Sequence, residues 1–313
     1  MYTHLAVAIL SFAGIWIGTG LAVNSVEKLS HKLKISSFAI SFLILGLFTS
    51  ISEFSVGLNA VLDNDPEIYV GNLIGASIVI FLMIIPLLAI TGKKINIPST
   101  LQNNNLLLSM IVIALPVIVA IDGEISSTDG LVAIALYIIL TLNLQLKKGL
   151  LERASTLIQF KKINVLKELA KIIAGVVIIF QASHFIVEQT LYFSNLLDIA
   201  PFIISILVIS IGTNLPELSF VFRSLVTKSN QIAFGDYVGS AAFNTLLFGI
   251  LTLVYGKTIV LSNSYVTSSI FLLVGVVLFH IFAKSKNSIT RLEGILLLIL
   301  YILFVSTEIS LLK

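Results

Sequence analysis

Phe48–Ser55 reads F-T-S-I-S-E-F-S, and Gly212–Ser219 reads G-T-N-L-P-E-L-S. The two stretches align at an offset of 164, which pairs Thr49 with Thr213 and Glu53 with Glu217. A second pair follows at the same offset. G-N-L-I-G-A-S-I-V-I at Gly71–Ile80 matches G-D-Y-V-G-S-A-A-F-N at Gly235–Asn244, setting Gly71 on Gly235 and Gly75 on Gly239. The Glu and the second Gly are 22 residues apart in both copies, with no gap. Chance rarely keeps such a register in apolar sequence, so the chain is read as an internal duplication.

The sequence around these copies is that of a membrane protein. Of 313 residues, 57% are hydrophobic and 11% charged, against roughly 25% charged in a soluble domain. A hydrocarbon core of ~30 Å needs about 20 apolar residues per helix. Hydropathy and punctuation place ten spans, at 5–24, 35–62, 67–91, 104–121, 128–146, 165–190, 200–225, 230–255, 259–282 and 289–310. The expected fold is an all-α membrane protein of ten transmembrane helices, built as two five-helix repeats. The first run lacks a basic leader and a small-residue cleavage signal, so 5–24 is read as a retained helix. Strand-like alternation is lacking, which disfavours a transmembrane barrel. With no cysteine, disulfides and thiolate metal sites are excluded.

Charge sets the expected orientation. Seventeen of the 19 Lys and Arg residues fall in loops 1–2, 3–4, 5–6, 7–8 and 9–10 or beside them. The opposite side carries only Lys257 and Lys313, and its loops 2–3 and 4–5 are acidic. The positive-inside rule then puts both termini outside the cell membrane and the 147–164 loop, with its short interfacial helix, in the cytoplasm. The expected units are residues 1–146, the connecting loop 147–164, and residues 165–313. Five spans per unit is an odd number, so the second copy enters from the other face and the repeats are inverted. Such architectures bring ion sites to the midplane at interrupted helices.

Glu53 and Glu217 fall inside spans 2 and 7, where a carboxylate is costly unless paired or cation-bound. No Lys or Arg lies at comparable depth. Thr49 and Ser50, and their counterparts Thr213 and Asn214, add hydroxyl and amide oxygens. Pro216 has no backbone N–H, which frees a carbonyl near Gly212, and Gly212 itself permits local unwinding. Carboxylate, hydroxyl and carbonyl oxygens together make a site for a hard cation: Ca2+, Na+, Mg2+ or Mn2+. Two carboxylates balance one divalent or about two monovalent cations, a charge basis for exchange. The Gly pairs are small-residue packing patterns. Ser240 and Asn244, one turn apart on span 8, face one side and join Glu217 and its Thr213 and Asn214 neighbours. Their first-copy counterparts, Ala76 and Ile80, carry no ligand oxygen, and Ser77 points about 100° away. Asn72 and Asp236 read as caps or vestibule groups, and His184 and His280 as packed imidazoles. Nothing reads as a nucleotide-binding loop, a nucleophile triad or a nucleic-acid patch. The chain is therefore expected to be no enzyme, to need no cofactor or nucleotide, and to have the lipid bilayer and its ions as partners.

These motifs resemble the two α-repeats of the sodium/calcium exchanger family, within the cation/calcium exchanger superfamily. That pattern is G-T-S-L-P-E followed by G-N/D-x-x-G-S-N-I-F-N/D, once per half. The second copy here is similar to it throughout; the first is degenerate, and Asn214 stands where the family has Ser. The resemblance implies Ca2+ held between Glu53 and Glu217 with backbone carbonyls near Thr49 and Thr213, and Na+ sites using Ser240 and Asn244. It implies a secondary antiporter exchanging Ca2+ or a related divalent cation for Na+ by alternating access, with spans 1 and 6 sliding past the motif helices. The thin first-copy oxygen supply keeps two alternatives open: an H+-coupled divalent cation exchanger, and a cation-binding membrane protein that transports nothing.

Overall fold

The computed structural model describes residues 1–32, 49–98, 101–102, 104–146, 164–215, 217–218, 221, 230–261 and 265–311. Among the described residues, eight helices are long and apolar enough to cross a membrane, and two shorter apolar helices accompany them. In chain order they are α1 Tyr2–Lys32, α2 Ile51–Leu62, α3 Pro66–Thr91, α4 Asn104–Val119, α5 Ser127–Leu146, α6 Val165–Leu197, α7 Pro201–Thr213, α8 Asn230–Tyr255, α9 Tyr265–Lys286 and α10 Arg291–Ser310. The expected interfacial helix of the 147–164 loop, the first part of span 2, Pro216 and the end of span 7 lie outside the described residues.

The offset of 164 found in the motifs recurs in the backbone. Helical geometry breaks for one residue at Ser50 (φ −77°, ψ 6°) and again at Asn214 (φ −89°, ψ 10°). Both residues are repeat equivalents. At the start of α5, the Ser126 amide and hydroxyl donate to Asp129 Oδ2 at 2.8 and 2.7 Å. At the start of α10, the Thr290 amide and hydroxyl donate to Glu293 Oε2 at 2.7 and 2.8 Å. Both are capping boxes, which satisfy amides a helix start leaves without partners.

Two short antiparallel ribbons tie the halves together. Strand β1 (Lys94–Asn96) pairs with β4 (Ser288–Thr290), Ile95 opposite Ile289. Strand β2 (Glu124–Ile125) pairs with β3 (Ile259–Val260), Ile125 opposite Ile259. Adding 164 carries β1 onto β3 and β2 onto β4, so the repeat symmetry exchanges one ribbon for the other. Residues 259–260 therefore form strand, and the ninth helix spans Tyr265–Lys286, not the expected 259–282. Helices α1 and α6 outrun their expected spans because their ends remain helical beyond the apolar stretch.

Packing repeats the same symmetry. Helix α3 is almost wholly enclosed, whereas α1, α5 and α10 turn much of their surface outward, as lipid-facing helices do. A Cβ on Gly130 of α5 would meet the Gly249 carbonyl of α8 at 2.9 Å, and one on its equivalent, Gly294 of α10, would meet the Pro86 carbonyl of α3 at 3.1 Å. Each outer helix thus seats its first turn on an enclosed motif helix of the other half. Helices α1 and α6 pack most extensively on each other. They cross where a Cβ on Gly175 would lie 2.5 Å from the Gly18 carbonyl. His4 Nδ1 lies 2.7 Å from Gln189 Oε1, and its ring stacks on Tyr192 at 3.6 Å, tying the far ends. His184 differs from its expected packed role: it is partly exposed on α6 and faces Glu188 at 3.5 Å.

Candidate cation site

The two breaks at Ser50 and Asn214 place the start of α2 and the end of α7 beside α3. The Gly pair of α3 allows this. A Cβ on Gly71 would lie 2.7 Å from the Phe202 carbonyl, and one on Gly75 would lie 2.7 Å from the Ile206 carbonyl. Helix α3 therefore runs against the backbone of α7, so the packing read from the Gly spacing holds for this pair. The Phe12 ring of α1 covers Gly212 just before the second break. A single π-turn loosens each partner, at Ile80–Ile84 in α3 and at Ser205–Ile209 in α7.

Thr49, Ser50, Glu53, Thr213, Asn214, Glu217 and Ser240 have no exposed surface, and Asn244 is 2% exposed. Every residue expected at the site is thus buried in the protein's interior, away from lipid. Several contacts cross between the halves. The Ser50 and Ser240 hydroxyls are 3.1 Å apart. The Thr213 hydroxyl donates to Asn72 Oδ1 at 3.3 Å. Asn214 Nδ2 donates to Glu53 Oε1 at 3.4 Å and to the Ser210 carbonyl at 2.8 Å. Since that carbonyl can only accept, the Asn214 amide has its NH2 group on the Glu53 side. Asn214 was expected beside Glu217; its amide instead serves Glu53 of the other half. The reason is local: Ala76, which occupies the repeat position of Ser240, offers it nothing.

Four residues not singled out as ligands also belong here. Ser52 stands where the second copy has Pro216. Its hydroxyl lies 2.9 Å from Glu53 Oε2, 3.1 Å from the Thr49 carbonyl and 3.4 Å from the Thr213 carbonyl. Its hydroxyl thus reaches a carboxylate and both Thr carbonyls. Asn72 is fully buried beside Thr213 and is no vestibule cap. Its depth follows from the close approach of α3 to α7. Ser210 supplies the carbonyl that orients Asn214, and the Tyr237 hydroxyl donates to the Glu217 carbonyl at 3.1 Å. The Ser52 signal was visible as the mismatch with Pro216; the roles of Ser210 and Tyr237 had no sequence signal. The Asp236 side chain and Pro216 lie outside the described residues.

Asn214 Oδ1, Asn244 Oδ1 and Nδ2, and Asn72 Nδ2 are buried with no hydrogen-bond partner among the described residues. A buried amide oxygen without a partner costs about 1–3 kcal/mol, and an oxygen-seeking cation removes that cost. The contacts among the described residues thus link the Glu53 carboxylate, the Asn214 and Asn72 amides and the Ser52 and Thr213 hydroxyls, with Ser50 against Ser240 across the halves, all oxygen or amide groups with no thiol or imidazole among them. This is the donor set of a hard cation. Ser77, by contrast, donates to the Leu73 carbonyl at 3.2 Å and stays out of the group. Another fully buried carboxylate, Glu308, accepts from Ser268 of α9, not from this group.

A family model described as "Sodium/calcium exchanger protein" matches residues 3–145 and 167–309. An uncharacterized membrane protein of Methanocaldococcus jannaschii is 26% identical over 293 residues, covering 94% of each chain. The sodium/calcium exchanger MaX1 of Methanosarcina acetivorans is 26% identical over 139 residues, covering 44% of this chain and 39% of that one. Among solved structures, the sodium-calcium exchanger NCX_Mj soaked with Na+ and Sr2+ superposes with a TM-score of 0.69. It is 24% identical and covers 97% of both chains, a likeness of fold.

Proposed function

Because the chain belongs to the sodium/calcium exchanger family, we propose that it is a secondary antiporter exchanging Ca2+, or a related divalent cation, for Na+ by alternating access. The observation that carries this reading is the pair of buried carboxylates, Glu53 and Glu217, each beside a helix break at repeat-equivalent positions. The ligands are Glu53, Glu217, the Thr49 and Thr213 segments, Ser50, Asn214, Ser240 and Asn244, with Asn72 added by its burial. Two negative charges hold either one divalent cation or two monovalent ones, and the low dielectric around them disfavours the empty, doubly charged state. One kind of ion leaves as the other arrives, which is exchange. Helices α1 and α6, tied to each other at the Gly18–Gly175 crossing and at His4, move as one body across the site. The termini face outside and the 147–164 loop faces the cytoplasm, as the placement of Lys and Arg directs.

The test is radioactive Ca2+ uptake by proteoliposomes under a Na+ gradient and, separately, under an H+ gradient. Na+-driven uptake that ignores pH supports the reading. Uptake driven by a pH gradient without Na+ moves the coupling ion to H+, a second reading favoured by Ala76 and Ile80, which leave Glu53 short of ligand oxygens. Ca2+ binding without any counterflow overturns antiport.

A further inference from the structure

Helix α6 meets α2 through a buried polar contact away from the cation site. Asn59, near the end of α2, is 4% exposed. Its Nδ2 donates to Ser183 Oγ of α6 at 2.9 Å, and it lies 3.4 Å from the Phe180 carbonyl of α6 and 2.9 Å from the Ser55 carbonyl of its own helix. The Ser183 hydroxyl in turn donates to the Phe180 carbonyl at 2.9 Å. Ser183 is fully buried, and its hydroxyl both accepts and donates.

The offset of 164 carries Ser183 back to Thr19 of α1. Thr19 is fully buried too, yet its hydroxyl has no hydrogen-bond partner among the described residues. The two hydroxyls are placed alike. Gly18, just before Thr19, lies in the crossing with Gly175 and Ile179, and Ala182, just before Ser183, lies against Gly14. A helical Thr can satisfy itself on the carbonyl one turn back, as Thr190 and Thr252 do on Ile186 and Phe248 at 2.8 and 2.7 Å. Thr19 does not. Ser and Thr offer the same group, so the inequality comes from where the α1–α6 pair sits, not from residue type. A buried hydroxyl without a partner is costly, and a shift of the pair that gives Thr19 a partner removes that cost. Alternating access in inverted repeats moves one bundle against the other, so the two halves trade surroundings.

We propose that Ser183 and Thr19 form a two-position latch for the α1–α6 pair: the Asn59–Ser183 contact stabilises the position described here, and the Thr19 hydroxyl is satisfied in the opposite one. This rests on the antiport reading above. Asn59, Ser183 and Thr19 are positioning residues, which act on the balance between the two positions and not on the ions. Removing the Ser183 hydroxyl weakens the present position. Removing the Thr19 hydroxyl relieves the present position of an unsatisfied group and weakens the other. The two deletions therefore tip the balance in opposite directions.

The experiment measures Ca2+ uptake by right-side-out and by inverted vesicles carrying the full chain, with vesicles lacking it as baseline, under whichever gradient, Na+ or H+, drives the native protein. Apparent affinity at each face scales with the fraction of protein open to that face. The ratio of the two half-saturating Ca2+ concentrations thus reports the balance between positions, which a merely structural role would not move. Ser183→Ala is expected to shift that ratio about two- to tenfold, the scale of one hydrogen bond. Thr19→Ala is expected to shift it by a similar factor in the opposite direction. Ser183→Thr, which keeps the hydroxyl, should stay near the native ratio. Asn59→Leu should move it the same way as Ser183→Ala, and it serves in that variant's place if Ser183→Ala does not fold. Shifts of the same sign on the two sides, or an unmoved ratio in folded, active variants, overturn the latch and leave antiport intact. No gradient-driven uptake by the native chain at either face overturns the antiport reading, and this proposal with it.

Discussion

Glu53 and Glu217 occupy equivalent positions, yet the side chains around them differ, and substitutions should register the difference. Glu53→Gln and Glu217→Gln each remove one of the two carboxylates proposed to neutralise a divalent cation. Losing one partner of a buried charge pair costs about 3–5 kcal/mol. Ca2+ uptake by either variant is expected to fall at least about 100-fold, measured in proteoliposomes; uptake near the native rate in both would remove them from the site. Asn72 tests the part of the site that tertiary contact revealed. It is fully buried and accepts from Thr213. Asn72→Leu removes that acceptor, leaves the hydroxyl only the Ser210 carbonyl at 3.4 Å, and takes an amide from the proposed ligand group. Calorimetric Ca2+ affinity is expected to drop about tenfold, the scale of one lost buried hydrogen bond. An unchanged affinity would return Asn72 to a packing role.

At the scale of elements, the contacts that position the site are backbone approaches between α3 and α7, and they permit almost no side chain. A Cβ on Gly75 would sit 2.7 Å from the Ile206 carbonyl and from Ser210 Cβ. Gly75→Val must therefore push α3 off α7, and with it Asn72 off Thr213. Overpacking of this kind costs about 1–3 kcal/mol, so both a lower melting temperature in detergent and a loss of Ca2+ uptake are expected. Gly20 on α1 is the control, because a Cβ there meets nothing within 4 Å. Gly20→Ala should stabilise by about 0.4–1 kcal/mol through the unfolded chain alone, and it should leave uptake unchanged. A stabilised or native-like Gly75→Val protein would show that the approach of α3 to α7 is not needed. Some of this level was written in the sequence. The capping boxes Ser126/Asp129 and Thr290/Glu293 are local patterns at the repeat offset, legible from spacing. The start of the ninth helix was not, because Ile259 and Val260 are as apolar as any helical residue; only pairing with β2 makes them strand.

At the scale of the whole molecule, the inverted repeat makes the orientation testable. The native chain has no cysteine, so single cysteines report cleanly. Asn64→Cys, in the turn between α2 and α3, should react with an impermeant maleimide added outside intact cells. Lys93→Cys, at the other end of α3, should react only in inverted vesicles. The reverse pattern would turn the molecule over without disturbing the fold. The sequence by itself determined the duplication, the ten apolar segments and the two glutamates at equivalent positions. These are properties of periodicity, charge and register, which the chain carries locally and at a fixed offset. Tertiary structure alone decided that Asn214 serves the glutamate of the opposite half, that Ser52 spans Glu53 and both Thr carbonyls, that Asn72 lies within the site, and that two ribbons join the halves. Each of those is a contact between segments far apart in the chain, and no local pattern encodes which of several buried polar partners a side chain will meet.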